Sequence, residues 1–211
     1  LPVPVSPRTI LKRQVGAAAE LGMRIKAGSE FEYYLLTDTY EDAARKGYQG
    51  LERFGHYNED YHLLQATKAE PLHHLLRTQM SAVNVPIEFS KGEAANGQHE
   101  VNIRYDHVLE SADRSVVFKH GAKEIAYLNG WGITFMAKPD HHWTGSSGHL
   151  HMSVWDAVKD VPLMHAIGEA CAQFRRGAVA MARELGSAQA KALVAAYHRQ
   201  HPAAARSAWP P

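Results

Sequence analysis

Cysteine is almost missing from this chain: Cys171 stands alone among 211 residues. A lone thiol excludes an internal disulfide and argues against a cysteine-based zinc site. It fits a reducing compartment, so a cytoplasmic location is expected. Long apolar runs are absent too. Nothing approaches the ~20 residues that cross a bilayer, so no membrane partner is expected. Charge of one sign is also lacking, with 23 Lys and Arg against 22 Asp and Glu. The resulting net charge of +1 gives no electrostatic reason to expect nucleic acid as a partner. Neither a P-loop nor a dinucleotide-type glycine motif occurs. Leu1 to Pro7 is proline-rich without an apolar centre, which excludes a secretory signal there, and the absence of an initial Met marks the chain as an expected fragment.

What is abundant is histidine, with 14 copies. Several fall in one stretch, Trp131 to Trp155, reading WGITFMAKPDHHWTGSSGHLHMSVW. An apolar run there stops at Lys138-Pro139, a Gly/Ser/His loop follows, and His149 to Trp155 then alternates. Alternation predicts a strand with His149, His151 and Ser153 on one face and Leu150, Met152 and Val154 on a packed face. Two imidazoles and a hydroxyl on one strand face, reached through a glycine-rich loop, suit a metal and a phosphorylated ligand.

The rest of the chain reads as one domain mixing helices and strands. Ser6-Pro7 opens a helix whose apolar face is Ile10, Leu11, Val15 and Leu21, and Gly22 ends it. Arg24 to Thr37 alternates as a strand with Glu30 and Glu32 on one face. An isolated pair of this kind is more often the solvated face of an edge strand. Thr39 to Lys46 is a short helix, and Gly50 to Tyr61 a loop. A long helix is expected over Thr67 to Val83, with a Thr67/Glu70 capping box and with His73 and His74 at its flank. Val85 to Ser90 and Gln98 to Tyr105 form a hairpin that offers Glu88 and Glu100. A third long helix covers Glu110 to Gly130. Val161 to Glu184 is Ala-rich and helical, with Cys171 inside it, and Ser187 to Pro211 has little apolar periodicity. The expected division is residues 1–185 as a partial catalytic domain and 186–211 as an Ala/Arg/Pro-rich, weakly packed tail.

Together Glu30, Glu32, Glu88, Glu100 and His149 come from four separated segments, which predicts a single curved antiparallel sheet whose concave face gathers carboxylates and imidazole. Carboxylate oxygens suit Mg²⁺, and Mn²⁺ also tolerates an imidazole. A pair of such ions is a common way to neutralise a transferring phosphoryl group.

At these residues the sequence resembles the glutamine synthetase family, type I-like. The blocks GSEFEYYL, NGQHEVNIRY and FMAKPDHHWTGSSGHLHMSVWD carry the resemblance, which spans about residues 6–156. The resemblance implies an α+β fold, a half-barrel sheet backed by long helices of the glutamine synthetase/guanido kinase-like type. It implies that Glu32, Glu88 and Glu100 ligate a first Mg²⁺ or Mn²⁺, and that Glu30 and His149 supply two of three ligands of a second. His151 and Ser153 would lie beside ATP, Tyr105 near the adenine, and Gly145 against the substrate glutamate. No catalytic residue is assigned beyond these binding roles. The implied reaction activates the γ-carboxylate of glutamate as an acyl phosphate, from which ammonia or an organic amine displaces phosphate. The full-length family forms homo-oligomers. Against the family pattern the small N-terminal domain and a downstream N-x-Y-x-R block are not found, so the second metal site is incomplete, low activity is expected of this chain alone, and residues after about Leu185 read as an aberrant frame. Pro86 and Thr144 replace the family's usual His and Asn. These changes leave open a γ-glutamyl ligase for an alkylamine, polyamine or ethanolamine, and a non-catalytic remnant as a further alternative.

Overall fold

The computed structural model describes residues 3–163. By its internal contacts the chain divides into two units, Leu1–Asp160 and Val161–Pro211, and everything described below lies in the first. The helix expected over Val161–Glu184, Cys171, the boundary at 185/186 and the tail beyond it lie outside the described residues. Among the described residues no helix is long and apolar enough to cross a membrane.

The organising element is β1, Met23–Leu36, whose two faces differ in its middle and are both buried over Tyr33–Leu36. Tyr33 and Leu35 are fully buried and Phe31 packs against the same core, while Lys26, Gly28, Glu30 and Glu32 occupy the opposite face. β1 is paired along both edges, always antiparallel. On one edge it meets β3, Gln98–Ile103, and the two-residue β4, Asp106–His107. On the other it meets β5, Gly132–Thr134, and β6, Gly148–Asp156. β2, Ile87–Gly92, extends the sheet by pairing with β3. The result is an open six-stranded antiparallel sheet.

Helices cover one face of this sheet. α1 spans Pro7–Glu20, α2 Tyr40–Arg45, α3 Leu63–Ala82 and α4 Val108–Leu128. Leu72, Leu76 and Met80 of α3 meet Phe118, Ala122 and Ile125 of α4 and Tyr33, Val101 and Ile133 of the sheet in one core. Phe31 stacks on Phe118 with ring centroids 5.7 Å apart. Truncating a buried aromatic of this kind costs ~3–5 kcal/mol, which makes the helix layer the rigid backing for whatever the bare face carries.

Four expectations need correction. α3 begins at Leu63, four residues before the anticipated capping box, and His62 at its N-cap makes no side-chain cap. Thr67 Oγ1 instead donates to the carbonyl of Leu63 inside the helix, 3.0 Å away. His73 points inward, at 3% exposure, instead of lying on the flank, because it shares the helix face of Ala69, Leu76 and Met80. On β6, Leu150 and Met152 do not form a packed face; they are 58% and 60% exposed, since no described helix reaches that far along the sheet. α1, finally, buries no residue fully, so its apolar stripe is only partly covered.

Candidate functional site

The bare face of the sheet is a ladder of polar rungs, and the register states which residues share each rung. Lys26 stands opposite Ser153, Gly28 opposite His151, and Glu30 between His149 and Asn102. Glu32 pairs with Glu100, which in turn pairs with Lys91 of β2. Three charged residues and a glycine at i, i+2, i+4 and i+6 of a single strand thus build the floor, because a strand repeats its faces every second residue.

Glu30 is the hub. Its Oε1 lies 2.6 Å from His149 Nδ1 and its Oε2 2.8 Å from His151 Nε2. Burial acts to raise its pKa, but hydrogen bonds and charge from His151 and His149 outweigh that and hold the carboxyl below its usual range. The same contact raises His149, through the hydrogen bond and the negative charge of Glu30. Donor atoms of Glu30, Glu32 and His149 all lie within 4.8 Å of one another, the spacing of ligands around one ion. Carboxylate oxygens with one imidazole nitrogen form a donor set that fits Mg²⁺ or Mn²⁺.

Glu32 is pinned from two directions. The Ser147 N–H donates to it at 3.0 Å, the Ser147 hydroxyl contacts it, and Gln98 Nε2 donates to it at 3.1 Å. Glu100, next on the rung, is 6% exposed and accepts from Asn102 Nδ2 at 2.6 Å, with Lys91 Nζ 3.3 Å from its other oxygen. Burial and the charge of Glu30 raise its pKa against the pull of Asn102 and Lys91. Lys91 also binds Glu93 at 2.6 Å and Asp60 at 3.3 Å. It stays firmly charged, because these acids outweigh its partial burial.

The placements divide as follows. Glu30, Glu32 and His149 converge tightly, and this trio draws on both of the expected ligand sets. Glu100 adjoins them through the ladder. Glu88 is exposed and sits in the β-bulge between Ile87 and Phe89, outside that trio. It lines a groove of about 320 Å³ together with Gly28, Glu30, Asn102, Tyr105 and His151. Gly28 forms part of the floor, and a Cβ there would sit 3.3 Å from the Ile103 carbonyl. Ser153 accepts from Trp155 Nε1 at 2.8 Å, and Tyr105 stacks near Trp155 with centroids 6.4 Å apart. Gly145 is exposed and offers its carbonyl to Gln98.

Three residues of the face were passed over in reading the sequence. Lys26 sits 3.5 Å above the Trp155 ring, a cation on an aromatic plate at the groove's far end. Its signal was present, since Lys26-x-Gly28-x-Glu30-x-Glu32 is one continuous alternation. Trp155 carried the same signal on β6. Gln98 alternates with Glu100 and so shares its face of the strand, but nothing in its sequence neighbours announces contacts with residues 32, 145 and 146.

Known proteins resemble this chain in sequence and in fold. The family description "Glutamine synthetase, catalytic domain" matches residues 4–210, running through the stretch expected to be atypical. The gamma-glutamylethanolamide synthetase of Streptomyces coelicolor is 42% identical over 156 residues, covering 74% of this chain and 34% of that protein. The glutamate–isopropylamine ligase of a Pseudomonas species is 34% identical over 194 residues, covering 88% of this chain and 42% of that protein. Among solved structures, apo GmaS superposes with a TM-score of 0.67 at 29% identity, covering 77% of this chain and 37% of that one. The chain therefore spans well under half the length of these relatives.

Proposed function

The chain belongs to the glutamine synthetase catalytic-domain family, and from that membership we propose that it carries the metal and nucleotide face of an ATP-dependent ligase joining an amine to the γ-carboxylate of glutamate. The observation that carries the reading is the convergence of Glu30, Glu32 and His149 at the head of the groove. Those three would hold a Mg²⁺ or Mn²⁺ ion, with Glu88 and Glu100 contributing to a second. When bound, such ions neutralise the negative charge of a phosphoryl group in transfer.

The protein's own residues do the remaining work. Gly28 leaves room for phosphates to lie close to the sheet, and Lys26 brings a positive charge to the same end. Tyr105 and Trp155 give an aromatic edge that a base can stack on. His151 and Ser153 point along that path. In the reaction the γ-carboxylate of glutamate takes the terminal phosphoryl of ATP and ADP departs. The amine nitrogen then attacks the acyl carbon, phosphate leaves with the bonding pair, and the amine gives up a proton. Gly145 would contact the glutamate. The full-length protein would act as a homo-oligomer.

An organic amine is favoured over ammonia as acceptor. The two relatives described above are named for an ethanolamide product and for isopropylamine, and Pro86 and Thr144 stand where the family pattern has His and Asn, positions that would border the amino-acid site. Mn²⁺ titration followed by electron paramagnetic resonance tests the core of the reading. Binding is expected in the native chain and in Glu20→Gln, on α1 away from the sheet, and its loss in Glu30→Gln and in Glu32→Gln. Binding that survives both of the latter would sink the assignment. Phosphate release from ATP with glutamate and ammonia, ethanolamine or isopropylamine ranks the acceptors, and a preference for ammonia would reverse the choice of amine.

A further inference from the structure

The carboxylates of the metal face need something to hold them at fixed spacing, and one buried side chain touches both halves of the arrangement. Gln98 is fully buried on the polar face of β3. Its Nε2 donates to Glu32 Oε2 at 3.1 Å, to the Gly145 carbonyl at 3.0 Å and lies 3.2 Å from Ser146 Oγ. One amide group thus joins a carboxylate on β1 to the loop preceding β6, segments more than a hundred residues apart in sequence. The loop returns the contact, since the Ser147 N–H donates to the same Glu32 oxygen and Glu32 N–H donates to the Ser147 carbonyl.

The backbone that presents Gln98 is locked as well. The Gly97 N–H donates to Glu59 Oε1 at 2.9 Å, and its carbonyl accepts from Leu35 N–H at 2.8 Å. Glu59 is 1% exposed. Gly97 has φ +70°, and a Cβ there would press on Arg53, Leu35 and Phe54, so the turn accepts only glycine without strain. Gln98 Oε1, meanwhile, is buried with no partner among the described residues. An unpaired buried carbonyl costs stability that an apolar side chain of equal volume would not. The amide is therefore best accounted for by what its N–H groups hold.

We propose that Gln98, set by the Glu59–Gly97 contact, is a positioning residue that clamps the Glu32 carboxylate to the Gly145–Ser147 loop and so fixes the ligand geometry at the head of the groove. This rests on the ligase reading of the face. It assigns Gln98 no contact with substrate or metal; it acts through Glu32 and through the loop that carries Gly145 and Ser146.

Two substitutions remove the donor in opposite electrostatic ways. Gln98→Met keeps the volume and adds no charge. Gln98→Glu keeps the shape and places a second negative group against Glu32. Amide hydrogen exchange by NMR on the 211-residue chain reads the loop directly, and Mn²⁺ affinity reads the ligand geometry. In both variants exchange at the Ser147 amide is expected to rise about tenfold, and Mn²⁺ Kd to weaken about tenfold, the change that loss of one modest contact produces, with the Phe118 amide in the α4 core unchanged. Unaltered Ser147 exchange in Gln98→Met would overturn the proposal. So would a rise at Phe118 equal to that at Ser147, which would make Gln98 a packing residue only. If the native chain itself fails to bind Mn²⁺, the ligase reading falls, and Ser147 exchange alone then decides the clamp.

Discussion

Tyr33 and His73 meet inside the core, with the phenol oxygen 2.8 Å from the imidazole Nε2. A neutral ring accepts that hydrogen bond; a protonated one could not. Burial, helped by the charge of Arg77, pushes the pKa of His73 down to about 4. In the unfolded chain a histidine titrates near ~6.5. Between those values the unfolded state binds a proton that the folded state refuses, so stability is complete above pH ~6.5 and falls as the pH drops toward 4. From pH 7 to pH 5 His73 alone should remove about 2 kcal/mol. His99, more deeply buried and shifted the same way by burial and by His73, acts in the same direction. Urea unfolding at the two pH values checks this, and His73→Phe should flatten the slope by roughly that ~2 kcal/mol. An unchanged slope would mean that His73 titrates freely. The position of this residue was legible in principle: Ala69, His73, Leu76 and Met80 follow helical spacing and all are buried. What hid it was the neighbouring His74 and a capping pattern at Thr67 that the helix ignores.

At the scale of elements, the packing of the loop carrying Glu59 against the end of β2 sets a sharp contrast between two glycines. A Cβ on Gly92 would stand 2.3 Å from the Glu59 carbonyl oxygen and 2.7 Å from its Cβ, atoms that cannot move without moving the loop. On Gly121 of α4 the nearest atom is the terminal Met80 methyl at 2.5 Å, which can swing aside. Gly92→Ala should therefore cost ~3 kcal/mol. Gly121→Ala should stay within ~1 kcal/mol, because the gain in helix propensity offsets the displacement of Met80. Chemical denaturation of the pair tests the difference, and equal costs would contradict this packing. The strands themselves were readable because alternation survives in any sheet whose two faces differ, as in Glu30-Phe31-Glu32-Tyr33. The bulge that takes Glu88 out of the ladder was not, since a register shift depends on how the hairpin closes and not on residue type. Leu150 and Met152 misled for a related reason. Alternation states which face an apolar residue joins, not whether a helix covers that face.

For the whole molecule, the three sequence blocks that carry the family resemblance fall on β1, on β3 with the end of the loop before it, and on β6 with the loop that leads into it. These strands make the polar face, and Glu30, Glu32, Glu100 and His149, named as candidates from the sequence, lie side by side on it. The helix layer behind them could be read only as amphipathic segments. If the face holds a divalent ion, folding and binding are linked. Mn²⁺ at a hundred times its Kd should add about 2.7 kcal/mol to the unfolding free energy, visible as a raised Tm in a calorimetric scan. Glu30→Gln should abolish the rise, and a rise that persisted in that variant would place the ion elsewhere.

The pairing of β1 on both edges has a consequence for how the chain is made. Its Met23–Phe31 edge finds its partner only in residues 148–156, and the side chains of Glu30 and His149 that meet there are 119 positions apart. At ~5–20 residues per second, a ribosome takes on the order of 10 s to deliver the second strand after the first. Throughout that interval the nascent chain exposes an open strand edge, a template for pairing with other chains. Chains arrested before residue 148 are thus expected to bind holdase chaperones, and chains released after β6 has emerged are expected to escape them. The timing of translation, and not only the final set of contacts, then governs how much of this protein reaches its folded state.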